Sequence, residues 1–174
     1  MRKHLTSIIL ILVFLTGLSL LLYPTVSDWW NSFRQSKTVA AYSEEVASLD
    51  EGTYQKLWEE AVAYNEWLGA SVQHFTLTEK EKKAYEELLN VGGNGVMGYV
   101  EIPSIRCTLP IYHGTDDSIL QVAVGHLEWS SLPVGGESSH CVLSGHRGLP
   151  SAKLFTDLDR LVVGDRFRLG VLDQ

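Results

Sequence analysis

The chain has 174 residues, 45% hydrophobic and 20% charged, with a net charge of −7. A disordered chain, poor in apolar residues, is excluded, and one domain with a real core fits once a membrane segment is set aside. The charge is uneven, +3 over residues 1–37, −7 over 38–90 and −3 over 91–174, and without a Lys/Arg cluster to replace counterions nucleic acid is excluded as a partner.

The first predicted element lies in MRKHLTSIILILVFLTGLSLLLYPTVSDWW, where Leu5 to Tyr23 carries no charge. At about 1.5 Å per residue this stretch almost covers a hydrocarbon core of roughly 30 Å. Arg2 and Lys3 precede it, which places the N-terminus in the cytoplasm. Tyr23, Trp29 and Trp30 suit an interfacial aromatic belt. A cleaved signal peptide has a shorter apolar core and a small-x-small cleavage site, and no AxA stands at the right place. An uncleaved signal anchor over residues 1–30 is expected, with everything later outside the membrane.

Residues 31–92 are expected to be an extracellular helical segment. In TYQKLWEEAVAYNEWLG, Leu57, Ala61 and Tyr64 share one face, joined by Trp58 and Val62. Gly69 is a plausible stop. Thr78 with Glu81 three residues later forms a capping box, so a second helix is predicted from Thr78 to about Asn90. The charges from Glu79 to Lys83 read as a solvated face.

Residues 93–174 change character. VMGYVEIP, IRCTLPIYHG, LQVAVGH, SSHCVLSGH and DRFRLGVLD are short apolar or alternating runs separated by Gly, Pro, Asp or Ser, which predicts five strands of a mainly β fold, a barrel or a sandwich. KLFTDLDRL is a short helical piece between the last two. No GxGxxG, Walker or HExxH motif occurs, and no cofactor is expected.

Chemistry has few candidates. Cys107 and Cys141 have no CxxC spacing and are too few for a disulfide scaffold. Two reduced packing thiols are expected, a single bridge being the alternative. His113, His126, His140 and His146 have no local zinc-type spacing, so no metal is expected. They read as structural: His113 at a strand end, His126 near the barrel surface, His140 at a strand start. Ser144 lacks a GxSxG elbow. His146, between Gly145 and Arg147-Gly148, reads by itself either as a satisfied strand-end histidine or as a group placed for chemistry.

The flanking pattern favours chemistry. Gly98-Tyr99 with Ile102-Pro103, Leu109-Pro110-Ile111-Tyr112-His113-Gly114, Gly125-His126-Leu127, Ser131-Leu132-Pro133-Val134-Gly135-Gly136 and Gly145-His146-Arg147-Gly148 occur in an order that resembles the sortases of class C, the pilin-polymerising type. The resemblance covers about residues 90–174. It implies an eight-stranded β-barrel outside a Gram-positive membrane and a cysteine transpeptidase. A thiolate would attack the Thr–Gly bond of an LPXTG-like sorting signal, and an amine, here a pilin lysine, would resolve the thioacyl-enzyme. His146 is then the catalytic histidine. His126 has a candidate supporting role. Arg147 would bind substrate or, the favoured reading, brace the loop through Asp157 or Asp159.

The chain also departs from that pattern. The nucleophile's TLxTC motif and the later catalytic arginine do not occur in it, about five of eight strands are counted, and an N-terminal fragment of the catalytic barrel over residues 93–174 is expected. Along a regular strand Cys141 would stand about 16 Å from His146 and point to the other face, far beyond the contact a thiol–imidazole pair needs. Cys107, on a neighbouring strand, also reads as packing. No Asp-Pro-aromatic lid motif occurs, and the nearest stretch offers only Phe75. The chain as given is therefore expected to be inactive and, with unpaired strand edges, to aggregate or stay partly unfolded. The alternative function is a non-catalytic surface scaffold or binding module on the same barrel.

Overall fold

One uninterrupted helix, α1 (Arg2–Ala47), carries the chain from its apolar start into the folded body. The computed structural model describes residues 2–70 and 76–172. The apolar side chains from Leu5 to Val26 are exposed, and α1 is long and apolar enough to cross a membrane. Pro24 sits inside it, where the missing N–H removes one helical hydrogen bond. From Asp28 onward the same helix bonds to the body, and from Gln35 onward it buries side chains there, Gln35, Tyr42 and Val46. The boundary expected after residue 30 thus falls inside a single helix.

Two shorter helices follow. α2 (Glu51–Ala70) starts at Asp50, whose carboxylate accepts from the Thr53 N–H at 3.0 Å and hydroxyl at 2.6 Å, satisfying an otherwise orphaned helix-end donor. Ala61 is buried, with Leu57, Trp58 and Tyr64 packed beside it, so the predicted apolar face is the inward one. α3 (Glu79–Glu87) carries the predicted capping box, Thr78 with Glu81, but stops three residues before Asn90. Leu89 there adopts φ +56°, and the Asn90 side chain accepts from Gly95 N–H at 2.9 Å, turning the chain into the sheet. Phe75 lies outside the described residues.

Each of the five predicted runs supplies one strand: β1 (Val96–Ile102), β2 (Cys107–His113), β3 (Val124–His126), β4 (Leu143–Ser144) and β5 (Arg168–Gly170). The sheet order is β4-β3-β2-β1-β5. All pairings are antiparallel except β2 with β3, and the one-turn helix α4 (Asp117–Leu120) lies in that parallel crossover. The sheet is open, with β4 and β5 outermost. KLFTDLDRL becomes a 3₁₀ turn, Thr156–Arg160.

The core joins the sheet to the helices through Met97, Val100, Leu109, Ile111, Val124, Leu132 and Leu172, all buried. Burial of such a side chain contributes roughly 1.5–3 kcal/mol. Tyr42 fastens α1 to this core. Its hydroxyl donates to the Met97 carbonyl at 3.0 Å and accepts from Leu172 N–H at 3.1 Å.

Two sequence expectations are corrected. β4 is only two residues long, so no regular strand separates Cys141 from His146, and His140, expected at a strand start, stands three residues before it. His126 is not near the surface but fully buried, because β3 is covered on both faces.

Candidate active site

The site is built from β3 outward. His126, the last residue of β3, pairs with Leu143 of β4. Its Nε2 lies 2.9 Å from the Ser131 carbonyl, and its Nδ1 lies 2.9 Å from the Tyr85 hydroxyl. A carbonyl only accepts, so the proton is assigned to Nε2, and Nδ1 accepts from Tyr85. Burial holds this ring neutral, lowering its pKa to about 4. The Tyr85 hydroxyl also accepts from Gly114 N–H at 3.1 Å, and burial raises its pKa.

This network sets the segment that leads to His146. Ser130 Oγ accepts from Val142 N–H, and Ser131 Oγ from His140 N–H, both at 3.0 Å. Leu127 N–H donates to Val142 O at 3.0 Å and Ser131 N–H to His140 O at 2.9 Å. From the other side α2 clamps the same loop, Asn65 exchanging two hydrogen bonds with the Leu132 backbone at 2.7 and 3.1 Å. β4 then emerges paired to Gly125 and His126, and His146 follows two residues later.

Beyond β4 the loop is braced by residues 153–159. The His146 carbonyl accepts from Phe155 N–H at 3.1 Å, Arg147 bridges Leu154, and Gly148 N–H donates to Thr156 Oγ1 at 2.9 Å. The Arg147 guanidinium meets the Asp159 carboxylate at 2.6 Å. Asp159 is thus the ion-pair partner expected for Arg147, while Asp157 pairs with Arg160. Gly145 is required by contact: a Cβ there would lie 2.7 Å from the Phe155 ring. His146 is half-buried, and no hydrogen bond or ion pair among the described residues engages its ring.

The cysteines are placed differently. Both are free. Cys107 is buried at the start of β2, its Sγ 3.8 Å from the Leu154 carbonyl. Cys141 is half-buried on the irregular stretch before β4. Burial pushes both thiols up to about 11, so each is a thiol rather than a thiolate at neutral pH, the reverse of an activated nucleophile. His113 spends both ring nitrogens on backbone carbonyls, Gly95 at 3.0 Å and Leu88 at 2.7 Å. These two carbonyls favour the cation, but burial is the larger effect and lowers its pKa.

Sequence reading missed Tyr85, Ser130, Ser131, Phe155 and Thr156. Tyr85 had one signal: with Leu88 and Leu89 it forms an i, i+3, i+4 apolar stripe on an otherwise charged helix. The others act through single hydroxyls, one ring and backbone groups, which leave no periodic side-chain pattern.

Comparison with known proteins decides the family. The sortase-domain family model matches residues 100–173. Sortase C1 of Streptococcus agalactiae superposes with a TM-score of 0.76 at 43% identity, over 79% of this chain and 72% of that one. The chain belongs to the sortase family. Sortase C-1 of Streptococcus pneumoniae superposes with a TM-score of 0.67 at 40% identity, over 79% of this chain and 72% of its own. Sortase D of Bacillus subtilis is 42% identical over 72 residues, which are 41% of this chain and 33% of that protein. The chain thus spans about a third of the curated relative it matches. Its fold is sortase-like with an open five-stranded sheet, and its solved neighbours are class C sortases.

Proposed function

We propose that this sortase chain carries the histidine half of a membrane-anchored cysteine transpeptidase that cleaves LPXTG-like sorting signals and joins the acyl group to an amine, a pilin lysine in the class C manner. His146 acts there as general acid and base. A thiolate attacks the threonine carbonyl carbon, the His146 imidazolium gives its proton to the departing glycine amine as the C–N bond breaks, and a thioester remains. The incoming amine attacks the thioester, His146 takes its proton, and the thiolate leaves as the new amide forms. Arg147 and His126 are positioning residues, the first bracing the loop and the second setting β4. α1 serves as the anchor, with its N-terminus cytoplasmic and the sheet outside a Gram-positive membrane.

The observation that carries this reading is the bracing of the His146 loop from two sides, by the Tyr85–His126–Ser131 network and by the Phe155–Thr156–Asp159 segment. Neither resident cysteine serves as nucleophile, so the 174-residue chain alone transfers nothing. The experiment incubates the chain with an LPXTG peptide and an amine acceptor. Neither cleavage nor joining is expected. Cleavage that disappears in Cys107→Ala would make Cys107 the nucleophile and overturn this assignment.

A further inference from the structure

Outside α1, six large apolar side chains are strongly exposed among the described residues. Four of them, Leu158, Val162, Val163 and Phe167, fall within ten residues of one another. Val163 is fully exposed, Val162 is 70% and Phe167 65% exposed. They crowd a tight turn closed by Asp165 N–H on the Val162 carbonyl at 3.0 Å and by Val162 N–H on the Asp165 carboxylate at 2.9 Å. Gly164 takes φ +104° at its tip. An apolar cluster of this kind marks an interaction surface rather than chance exposure.

Its position in the fold says what it faces. Tyr42 bonds the Met97 end of β1, whereas the other end of β1 leads into the Pro103–Ile105 turn. That turn and the start of β2 share a cavity of about 660 Å³ with Asp28, Ser32, Gln35 and Ser36 of α1. β1 therefore runs back down α1 toward its apolar segment. The Thr156–Arg160 turn is pinned at the same level, since Lys153 N–H donates to Asp28 Oδ1 at 2.8 Å and Asn31 donates to Ser151 O at 2.8 Å. β5 also begins there, Arg168 standing opposite Glu101. The Val162–Asp165 turn joins these two low points. Asp28 lies five residues above Tyr23, about 7.5 Å along a helix. The headgroup layer is itself roughly 5–7 Å deep on each side of the hydrocarbon. Trp29, Trp30 and Phe33 of α1 are exposed at this height.

We propose that the Val162–Asp165 turn, with Phe167 beside it, inserts into the headgroup layer of the bilayer that α1 crosses, so that the sheet is seated on the membrane at two points. The occupant of this apolar surface is the phospholipid interface itself. Arg166 beside the turn suits that place, with its apolar stem against lipid and its cationic head at the phosphates, while Arg160 and Arg168 are held by Asp157 and Glu101. The Asp165 carboxylate keeps the insertion shallow. This inference rests on α1 being a membrane anchor.

The test uses the full 174-residue chain in phosphatidylcholine–phosphatidylglycerol vesicles, nitroxide-labelled at Val163→Cys, Leu15→Cys or Glu87→Cys. Cys107 and Cys141, buried or half-buried, label slowly by comparison. Leu15 reports the apolar span and Glu87 the membrane-distal end of α3. Relaxation by lipid-soluble oxygen relative to a water-soluble nickel chelate is expected to be about threefold or more higher at Val163 than at Glu87, as for groups sunk 5–10 Å into the interface. Val163 matching Glu87 while Leu15 is in lipid overturns the inference and leaves the anchor standing. Leu15 in water overturns the anchor, and the inference with it. Val163 shielded from both reagents means that protein, such as a second copy, covers the turn, and overturns it too. Val163→Asp, at a side chain that packs on nothing, is expected to return a Phe167→Cys label to water-exposed values. A Phe167 label still in lipid would place the insertion elsewhere.

Discussion

The Tyr85 hydroxyl stands 2.9 Å from Nδ1 of His126, and both side chains are fully buried. This contact joins α3 to β3, and β3 in turn holds the strand that delivers His146. Tyr85→Phe removes the hydroxyl and leaves Nδ1 of His126 and the N–H of Gly114 without their partner. A buried group left unsatisfied costs about 1–3 kcal/mol, so a loss of about 2–3 kcal/mol is expected in urea unfolding of the chain.

Acid should weaken the fold through the same histidine. Its folded pKa of about 4 lies below the ordinary 6.5, so the unfolded chain binds the proton more readily. The stabilisation is complete above pH 6.5 and is lost as pH falls from 6.5 toward 4. The loss is on the order of 3 kcal/mol. His113, also lowered by burial, adds in the same sense. Unfolding midpoints measured between pH 7.5 and 4.5 check this, and a midpoint that does not move would count against a neutral buried His126.

Gly145→Ala places a methyl group 2.7 Å from the Phe155 ring. Overpacking of this kind costs about 1–3 kcal/mol. The expected result is a destabilised chain with a displaced His146 loop, seen as amide shifts confined to residues 144–156. Phe155→Leu in the same chain should restore part of the stability.

The thiols should be sluggish. With both pushed up to about 11, alkylation by iodoacetamide at pH 7.5 is expected to be on the order of a hundredfold slower than for an exposed cysteine. Rapid modification of Cys107 in the folded chain would contradict its assignment as a packing residue.

In a form of the protein extended to carry the TLxTC nucleophile, His146→Ala is expected to lower kcat on the order of 10²- to 10⁴-fold, the usual worth of a positioned acid–base group. Asp159→Asn loosens only an ion pair exposed at both partners, an interaction that contributes below about 1 kcal/mol. Its expected effect is a small rise in KM with kcat near normal. Unchanged turnover in His146→Ala would remove the histidine from the reaction.

The sequence was most legible where local chemistry decides the outcome. Thr78 with Glu81 formed the capping box it spells, and each of the five apolar runs supplied a strand. It was least legible where tertiary contact decides. Alternation tells inside from outside only when one face meets water, and β3 meets none, so His126 was misplaced to the surface. Nothing in residues 28–47 announces one continuous rod, because Tyr42 and Val46 are buried by a sheet that lies fifty residues further on. The braces of the His146 loop are scattered side-chain and backbone contacts, which leave no periodic pattern to read in the sequence.

The continuity of α1 has a mechanical consequence. A domain hung from a flexible linker samples many positions about its anchor. If α1 spans the bilayer as proposed, the stem set in lipid is the same helix that Tyr42 fastens to the sheet, interrupted only by the hydrogen bond missing at Pro24. The histidine would then ride at a fixed altitude with a fixed bearing, like a tool on a mast. Encounter would then become a search in two dimensions, open to substrates that present their cleavage sequence at that height and closed to those that present it elsewhere.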